Sequence, residues 1–214
     1  MRFERKYRIE GLSREEILSA VQQHALSFRT LFPDRKVNNI YLDTQDLQFF
    51  QDNLSGTGDR KKYRIRWYGN DWRSGDLPVR EIKIKHNELG AKDSLQLEEH
   101  LPLDDIQALQ QYVDRNAFGG FRLLPVLFNS YQRSYLTSYD QKFRVTIDWE
   151  MRFFGMEKGF FEPTPFMEDP AVIVEVKYDA VHDQDWKRFS EGFPFRVTKN
   201  SKYVNGMVLA GGAQ

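Results

Sequence analysis

Charged and apolar residues alternate in five short stretches of this chain. The stretches are residues 2–8, 63–67, 80–85, 144–148 and 174–178. A β-strand sends successive side chains to opposite faces, so each stretch predicts a strand with its ions on one face and its apolar residues on the other. One such strand is typical of many surfaces. Several together, rich in both signs of charge, indicate a curled sheet whose charged face holds a highly charged ligand.

Helical periodicity separates the predicted strands. Ser13 and Glu16 have the spacing of a capping box, and the apolar residues that follow predict a helix to about residue 26. The remaining predicted elements are strands at 37–42, 95–101 and 123–139 and helices opening at 102–105 and near 183–191 and 200–209. This order predicts one α+β domain over residues 1–214, built on an antiparallel sheet.

Like charges lie two residues apart on the predicted strand faces, as for Arg64 with Arg66 and for Lys83 with Lys85. Such neighbours repel each other unless something anionic lies between them. The alternative is a sheet with a solvated charged face and an apolar core face, which is the commoner arrangement for any single strand. Several such strands together favour a closed antiparallel β-barrel with a charged interior and helices packed outside.

Composition narrows the classes of function. Of 214 residues, 40% are hydrophobic and 29% are charged, which is typical of a folded protein. The 31 basic and 31 acidic residues cancel, which argues against nucleic-acid binding although residues 60–68 interleave basic and aromatic side chains. The chain has no cysteine and therefore no disulfide or thiolate metal site. Because no signal-peptide core and no apolar run of about 20 residues occurs, we expect a cytoplasmic protein without direct membrane insertion.

Eight short motifs follow one another in the order of a known family. They are Phe3-Glu4-Arg5-Lys6-Tyr7, Tyr41-Leu42-Asp43-Thr44, Arg64-Ile65-Arg66-Trp67-Tyr68-Gly69, Glu81-Ile82-Lys83, Tyr131-Gln132-Arg133-Ser134-Tyr135, Arg144-Val145-Thr146-Ile147-Asp148, Val174-Glu175-Val176-Lys177 and Ser201-Lys202-Tyr203. Together they resemble the VTC domain, the polyphosphate polymerase domain of the triphosphate tunnel metalloenzyme, or CYTH-like, superfamily. The resemblance covers residues 1–207, nearly the whole chain.

The resemblance implies an antiparallel β-barrel tunnel in which the γ-phosphate of ATP, or of another nucleoside triphosphate, moves onto inorganic polyphosphate. The implied catalytic residues are Arg64, Arg66, Lys83, Arg133 and Arg144. The implied phosphate-binding residues are Lys6, Lys92, Lys199 and Lys202. Leu95 is the rival to Lys92 for one family lysine. Glu175 is the implied ligand of Mn²⁺ or Mg²⁺, hard cations that can bridge carboxylate and phosphate oxygens.

The first strand departs from part of the superfamily. Its triphosphatases and cyclases carry Glu-x-Glu-x-Lys, whereas residues 2–6 here read Arg-Phe-Glu-Arg-Lys. The replaced first glutamate favours the polymerase branch. Two alternatives stay open. A metal-dependent triphosphatase would place water where the acceptor phosphate lies, and a non-catalytic module would bind polyphosphate or nucleotide without turnover.

Overall fold

The structure, a computed structural model, describes residues 2–86, 89–116, 120–156 and 166–211, and only the backbone of Leu89. In chain order the strands are β1 (Arg2–Ile9), β2 (Arg29–Asp43), β3 (Asp59–Tyr68), β4 (Val79–His86), β5 (Leu89–Gln96), β6 (Leu124–Thr137), β7 (Phe143–Gly155), β8 (Met167–Asp169) and β9 (Val172–Asp179). The helices are α1 (Arg14–Gln22), α2 (Gln48–Ser55), α3 (Ile106–Arg115), α4 (Trp186–Glu191) and α5 (Lys202–Leu209), with a 3₁₀ helix at Ala180–Asp185.

The predicted α+β class is confirmed, with strands that pair antiparallel. The closed barrel stays a prediction. The chain divides into two compact units. Unit 1 comprises Met1–Arg35, Tyr131–Met151 and Asp169–Asn200, and unit 2 comprises Lys36–Ser130, Arg152–Glu168 and Ser201–Gln214. The single domain expected over residues 1–214 is not tested by this division.

In unit 1, β9 lies between β1 and β7. The apolar faces of β7 and β9 are covered by two helices. The core includes Val145 and Ile147 from β7, Val174 from β9, Ile17 from α1 and Phe189 from α4. Because side chains alternate along a strand, the charged residues of β7 and β9 lie on the opposite face from this core. The helices therefore cover apolar strand faces, as the alternation predicted.

In unit 2, β2, β3, β4 and β5 are neighbours in that order, and β6 lies beside β2 and β7. The core of this unit joins Ile65 and Trp67 of β3 to Leu109 and Val113 of α3. The charged residues at alternate positions of β3 and β4 again lie on the face away from this core. Among the described residues, no helix is long and apolar enough to span a bilayer.

The sequence predicted the start of α1 correctly and one strand incorrectly. The predicted capping box is present, since Ser13 Oγ accepts from Glu16 N and Glu16 Oε2 accepts from Ser13 N, at 3.3 and 2.7 Å. The strand predicted at 95–101 is wrong, because β5 ends at Gln96. Leu97 and Leu101 are buried in the irregular segment that follows, so their spacing reflects packing and not a pleat.

An alanine at Gly206 should destabilise the packing of α5. A Cβ there would overlap the Phe153 ring and lie 2.7 Å from Leu127 Cδ2. Overpacking a core costs about 1–3 kcal/mol, so the free energy of unfolding of Gly206→Ala, measured with urea, should be lower than that of wild type by this amount. Gly90→Ala is the matched control, because a Cβ at Gly90 meets nothing within 4 Å. Wild-type stability of Gly206→Ala would contradict this packing.

Candidate functional site

The charged faces of β3, β4 and β5 carry a row of basic residues in unit 2. The antiparallel register places Lys62 opposite Lys83, and Lys83 opposite Lys92. Two residues further along the strand, Arg64 lies opposite Glu81. Like charges on directly opposed positions destabilise a sheet unless an anion compensates them. The described strands provide such an anion in Glu81.

Glu81 holds three cations. Arg64 Nε lies 2.5 Å from Glu81 Oε2, Arg66 Nη1 lies 3.7 Å from the same oxygen, and Lys92 Nζ pairs with Oε1. The Glu81 side chain is only 4% exposed. Burial raises the pKa of the Glu81 carboxyl, but Arg64, Arg66 and Lys92 outweigh burial and hold this pKa far below its usual value. Glu81 is therefore ionised at neutral pH.

Two buried asparagines orient Arg66. Arg66 Nε donates to Asn39 Oδ1 at 2.8 Å, and Asn39 Nδ2 donates to Asn129 Oδ1 at 3.3 Å. Arg66, Asn39 and Asn129 are all buried. An amide oxygen accepts a hydrogen bond without carrying a full negative charge. Asn39 therefore fixes the guanidinium of Arg66 without cancelling its positive charge.

The start of α5 contacts the lysine row. Lys62 Nζ donates to Ser201 Oγ at 2.8 Å, and Ser201 is the N-cap residue of α5. Lys202, the first residue of α5, is buried. A lysine is seldom buried unless its ammonium group is paired, so the position of Lys202 is closely defined by its surroundings. In unit 2 the helix start and the charged face of β3 thus share one hydrogen-bonded contact.

Unit 1 also has a charged face, formed by β1, β7 and β9. The register places Glu175 between Lys6 on β1 and Thr146 on β7. Lys6 Nζ lies 3.5 Å from Glu175 Oε1 and 3.1 Å from Glu4 Oε1. Lys177 Nζ lies 3.2 Å from Glu175 Oε2. Glu175, predicted as a metal ligand, is therefore a buried carboxylate flanked by two lysines.

Arg133 forms a bidentate ion pair with Asp148 in unit 1. Arg133 Nε lies 2.5 Å from Asp148 Oδ1, and Nη2 lies 2.7 Å from Oδ2. Both side chains are buried. Burial lowers the pKa of Arg133, but Asp148 outweighs burial and raises this pKa well above its usual value. Arg133 therefore stays charged, and a phosphate would have to use its remaining N–H donors.

Three of the sequence-predicted cations are exposed, namely Lys92, Arg144 and Lys199. Arg144 lies opposite Lys177 in the register of β7 with β9, and its side chain is exposed. Lys199 is exposed in an irregular segment. Four of the other cations have less freedom to move. Burial restricts Arg66, Arg133 and Lys202, and a hydrogen bond to the Glu81 carboxylate holds Arg64.

The two candidates for one family lysine lie on opposite faces of β5. Lys92 is 51% exposed, and its ammonium group pairs with Glu81. Leu95 lies opposite Arg80 and is 49% exposed. Of the two positions, Lys92 shares its strand face with the lysine row, so it is the one placed to contact an anion there.

The residues around Glu175 fit a divalent cation. Thr146 Oγ1, opposite Glu175 in the register, is buried and has no hydrogen-bond partner in the described structure. Glu4 and Glu175 both contact Lys6 and add carboxylate oxygens. The described residues contain no group of three His, Cys, Asp or Glu that could hold a metal. Two carboxylates nevertheless suit Mg²⁺, which keeps several waters and takes other ligands from substrate phosphates.

Sequence reasoning missed three residues of the charged face of unit 2. Lys62 lies two residues before Arg64, so alternation alone could have placed it on the same strand face. Glu81 stands in the motif Glu81-Ile82-Lys83, but its role as the shared anion follows only from the pairing of the strands. Asn39 carries no charge and stands in a predicted strand, so no sequence signal connected it to Arg66.

Comparison with known proteins identifies the family. A family model of the VTC domain matches residues 1–210, so the chain belongs to the VTC domain family. The resemblance seen in the eight motifs is thereby confirmed. No curated protein matches the chain.

Comparison with solved structures supports the fold. A candidate adenylate cyclase from Vibrio parahaemolyticus superimposes with a TM-score of 0.55 at 12% identity, over 95% of this chain and 97% of its own. The Schizosaccharomyces pombe Mediator head module gives 0.46 at 8% identity, over 90% of this chain and 89% of its own. The RNA triphosphatase Pct1 of Schizosaccharomyces pombe gives 0.33 at 10% identity, over 88% and 67%. The last two similarities are too weak to carry an argument.

Replacing Glu81 with Gln should destabilise the protein in a pH-dependent way. The change leaves three cations without their shared anion, and breaking a buried pair costs about 3 kcal/mol. Folding lowers the pKa of Glu81 from the usual glutamate value of 4.5. The ionised carboxylate therefore contributes its full stabilisation above pH 4.5, and this stabilisation is lost as the pH falls from 4.5 towards the folded-state pKa. The difference in the free energy of unfolding between wild type and variant, measured with urea, should therefore be largest near neutral pH and smaller at about pH 3.

Glu99→Gln is the matched control for Glu81→Gln. Glu99 pairs with Arg115, but their side chains are 68% and 60% exposed. Exposed ion pairs contribute little to stability, so Glu99→Gln should unfold like wild type. A stability difference between wild type and Glu81→Gln that does not change with pH would contradict an ionised, shared carboxylate.

Proposed function

We propose that this protein is a polyphosphate polymerase-like phosphotransferase that moves the γ-phosphate of ATP onto a polyphosphate chain. The observation that carries the proposal is the grouping of Arg64, Arg66 and Lys92 around one buried carboxylate, Glu81, with Lys83 beside them. Arginine and lysine concentrated on one sheet face, in a chain of zero net charge, favour a polyanionic ligand. Membership of the VTC domain family supports the same class of ligand. The closed, charged β-barrel tunnel is part of this proposal.

The reaction needs alignment and charge neutralisation more than covalent help from the protein. A terminal oxygen of the polyphosphate chain attacks the γ-phosphorus. The bond from that phosphorus to the oxygen bridging the β-phosphate breaks, and ADP leaves with the electron pair. Forked N–H donors would hold the non-bridging oxygens, from Arg64, Arg66, Arg133 and Arg144. Ammonium groups would add positive charge along the chain, from Lys6, Lys83, Lys92, Lys199 and Lys202.

Glu175 would hold Mn²⁺ or Mg²⁺, with Thr146 Oγ1 and Glu4 as further oxygen donors on the same sheet face. A bound divalent cation offsets negative charge on phosphate oxygens during transfer. Lys6 and Lys177 already contact Glu175, so they would fix its carboxylate in place. These two lysines could then also contact phosphate oxygens that share the cation.

A metal-dependent triphosphatase is the second candidate function. It would use the same cations and the same carboxylate, with water as the attacking group. A binding module without chemistry is the third. Glu175→Gln distinguishes the binding module from both enzymes, because the variant should lose turnover in an enzyme while a module would bind polyphosphate nearly as before.

Purified protein with ATP and either Mn²⁺ or Mg²⁺ should yield ADP and a ladder of polyphosphate chains on a gel. Arg64→Met should slow this reaction by about a hundredfold, the cost of removing one donor that stabilises developing charge. Arg152→Met is the matched control, because Arg152 is exposed and pairs with exposed Glu168, and it should react like wild type.

Three results of this assay decide between the candidates. Polyphosphate chains that require ATP and metal support the polymerase. Phosphate release without chains identifies the triphosphatase. Unchanged ATP with both metals would exclude both enzymes.

A further inference from the structure

Asp43 joins three elements of unit 2 and has no role in the proposed reaction. It is fully buried at the end of β2. Its carboxylate accepts from Phe49 N at 2.9 Å and from Phe50 N at 2.8 Å, both at the start of α2. The same carboxylate accepts from the hydroxyl of Tyr203, in the first turn of α5. One buried side chain therefore connects β2, α2 and α5.

The ring of Tyr203 is held as closely as its hydroxyl. It stacks on Tyr41, with ring centroids 4.9 Å apart and planes 22° apart, and it meets Phe50 edge-on at 6.1 Å. Tyr203 and Tyr41 are both buried. Because the aromatic contacts do not need the hydroxyl, a phenylalanine would keep them and lose the hydrogen bond to Asp43.

Tyr203 follows the N-cap residue and the first residue of α5. Lys202 precedes it and is buried, and Ser201, one residue earlier, accepts from Lys62 Nζ. Residues within one helical turn share a rigid hydrogen-bonded backbone. A contact that fixes Tyr203 therefore also fixes the backbone of Ser201 and Lys202.

We infer that the Tyr203–Asp43 hydrogen bond positions two lysines for binding the phosphates of an inorganic polyphosphate chain. It sets the place of Lys202 directly and the place of Lys62 through Ser201. Lys62 is thereby a further phosphate-binding residue, opposite Lys83 in the cross-strand row. This inference rests on the proposed function, because it assigns further residues to the same polyanion site. Tyr203 and Asp43 themselves are positioning residues that need not touch the substrate.

Calorimetric titration with inorganic tripolyphosphate tests the inference. The Kd of Tyr203→Phe should rise about threefold to tenfold over wild type, the range expected for one hydrogen bond. Tyr112→Phe is the matched control. Tyr112 is also buried, and its hydroxyl donates to the Glu99 carbonyl oxygen at 3.0 Å, but it lies on α3. Tyr112→Phe should lose stability in the same way and keep the wild-type Kd.

A double-mutant cycle separates positioning from a general structural effect. In the Lys62→Met/Lys202→Met background, adding Tyr203→Phe should not raise the Kd further, because the lysines it acts through are absent. An equal rise in both backgrounds would overturn the inference, and so would an unchanged Kd for Tyr203→Phe. If wild type itself fails to bind tripolyphosphate, the proposed function fails. Wild-type binding with no effect of Tyr203→Phe would overturn only the positioning role.

Discussion

A shared buried carboxylate makes the charged face of unit 2 possible. Arginines and lysines on neighbouring strands repel each other, and Glu81 offsets that repulsion for Arg64, Arg66 and Lys92. One negative charge does not neutralise three cations, so the group formed by Glu81 and these three side chains is positive. Glu81 therefore stabilises the folded sheet while the group keeps the positive charge that the proposed function requires. The amide oxygen of Asn39 has a similar effect, because it orients Arg66 without cancelling its charge.

The charged face of unit 1 pairs its carboxylates and cations differently from that of unit 2. There each carboxylate contacts at least one cation: Glu175 and Glu4 share Lys6, and Asp148 takes two N–H donors of Arg133. The unpaired Thr146 Oγ1 opposite Glu175 adds an oxygen without charge. Neighbouring carboxylate and hydroxyl oxygens suit a divalent cation, whereas grouped cations suit phosphates. Each face therefore offers different chemistry to the ligand proposed for it, oxygen donors in unit 1 and cationic donors in unit 2.

The alternation of charge along the chain predicted which residues share a strand face, and the Ser13 capping box predicted where α1 begins. Such local patterns do not predict which strands pair or in which register they pair. The role of Glu81 depends on the register of β3 with β4 and of β4 with β5. The contact of Tyr203 with Asp43 joins residues 160 positions apart, and both residues stood in motifs without an assigned role. Neutral side chains such as Asn39 give no sequence signal, because their importance comes only from the charged group they touch.

The central claim is that the cations grouped around Glu81 in unit 2 bind phosphate oxygens. A crystal structure of the protein with inorganic tripolyphosphate tests it most directly. The account predicts phosphate oxygens within about 3 Å of the side-chain nitrogens of Arg64, Arg66 and Lys83, with Glu81 still paired to at least one of the arginines. Tripolyphosphate bound only at other surfaces, with these three side chains contacting no phosphate, would contradict it.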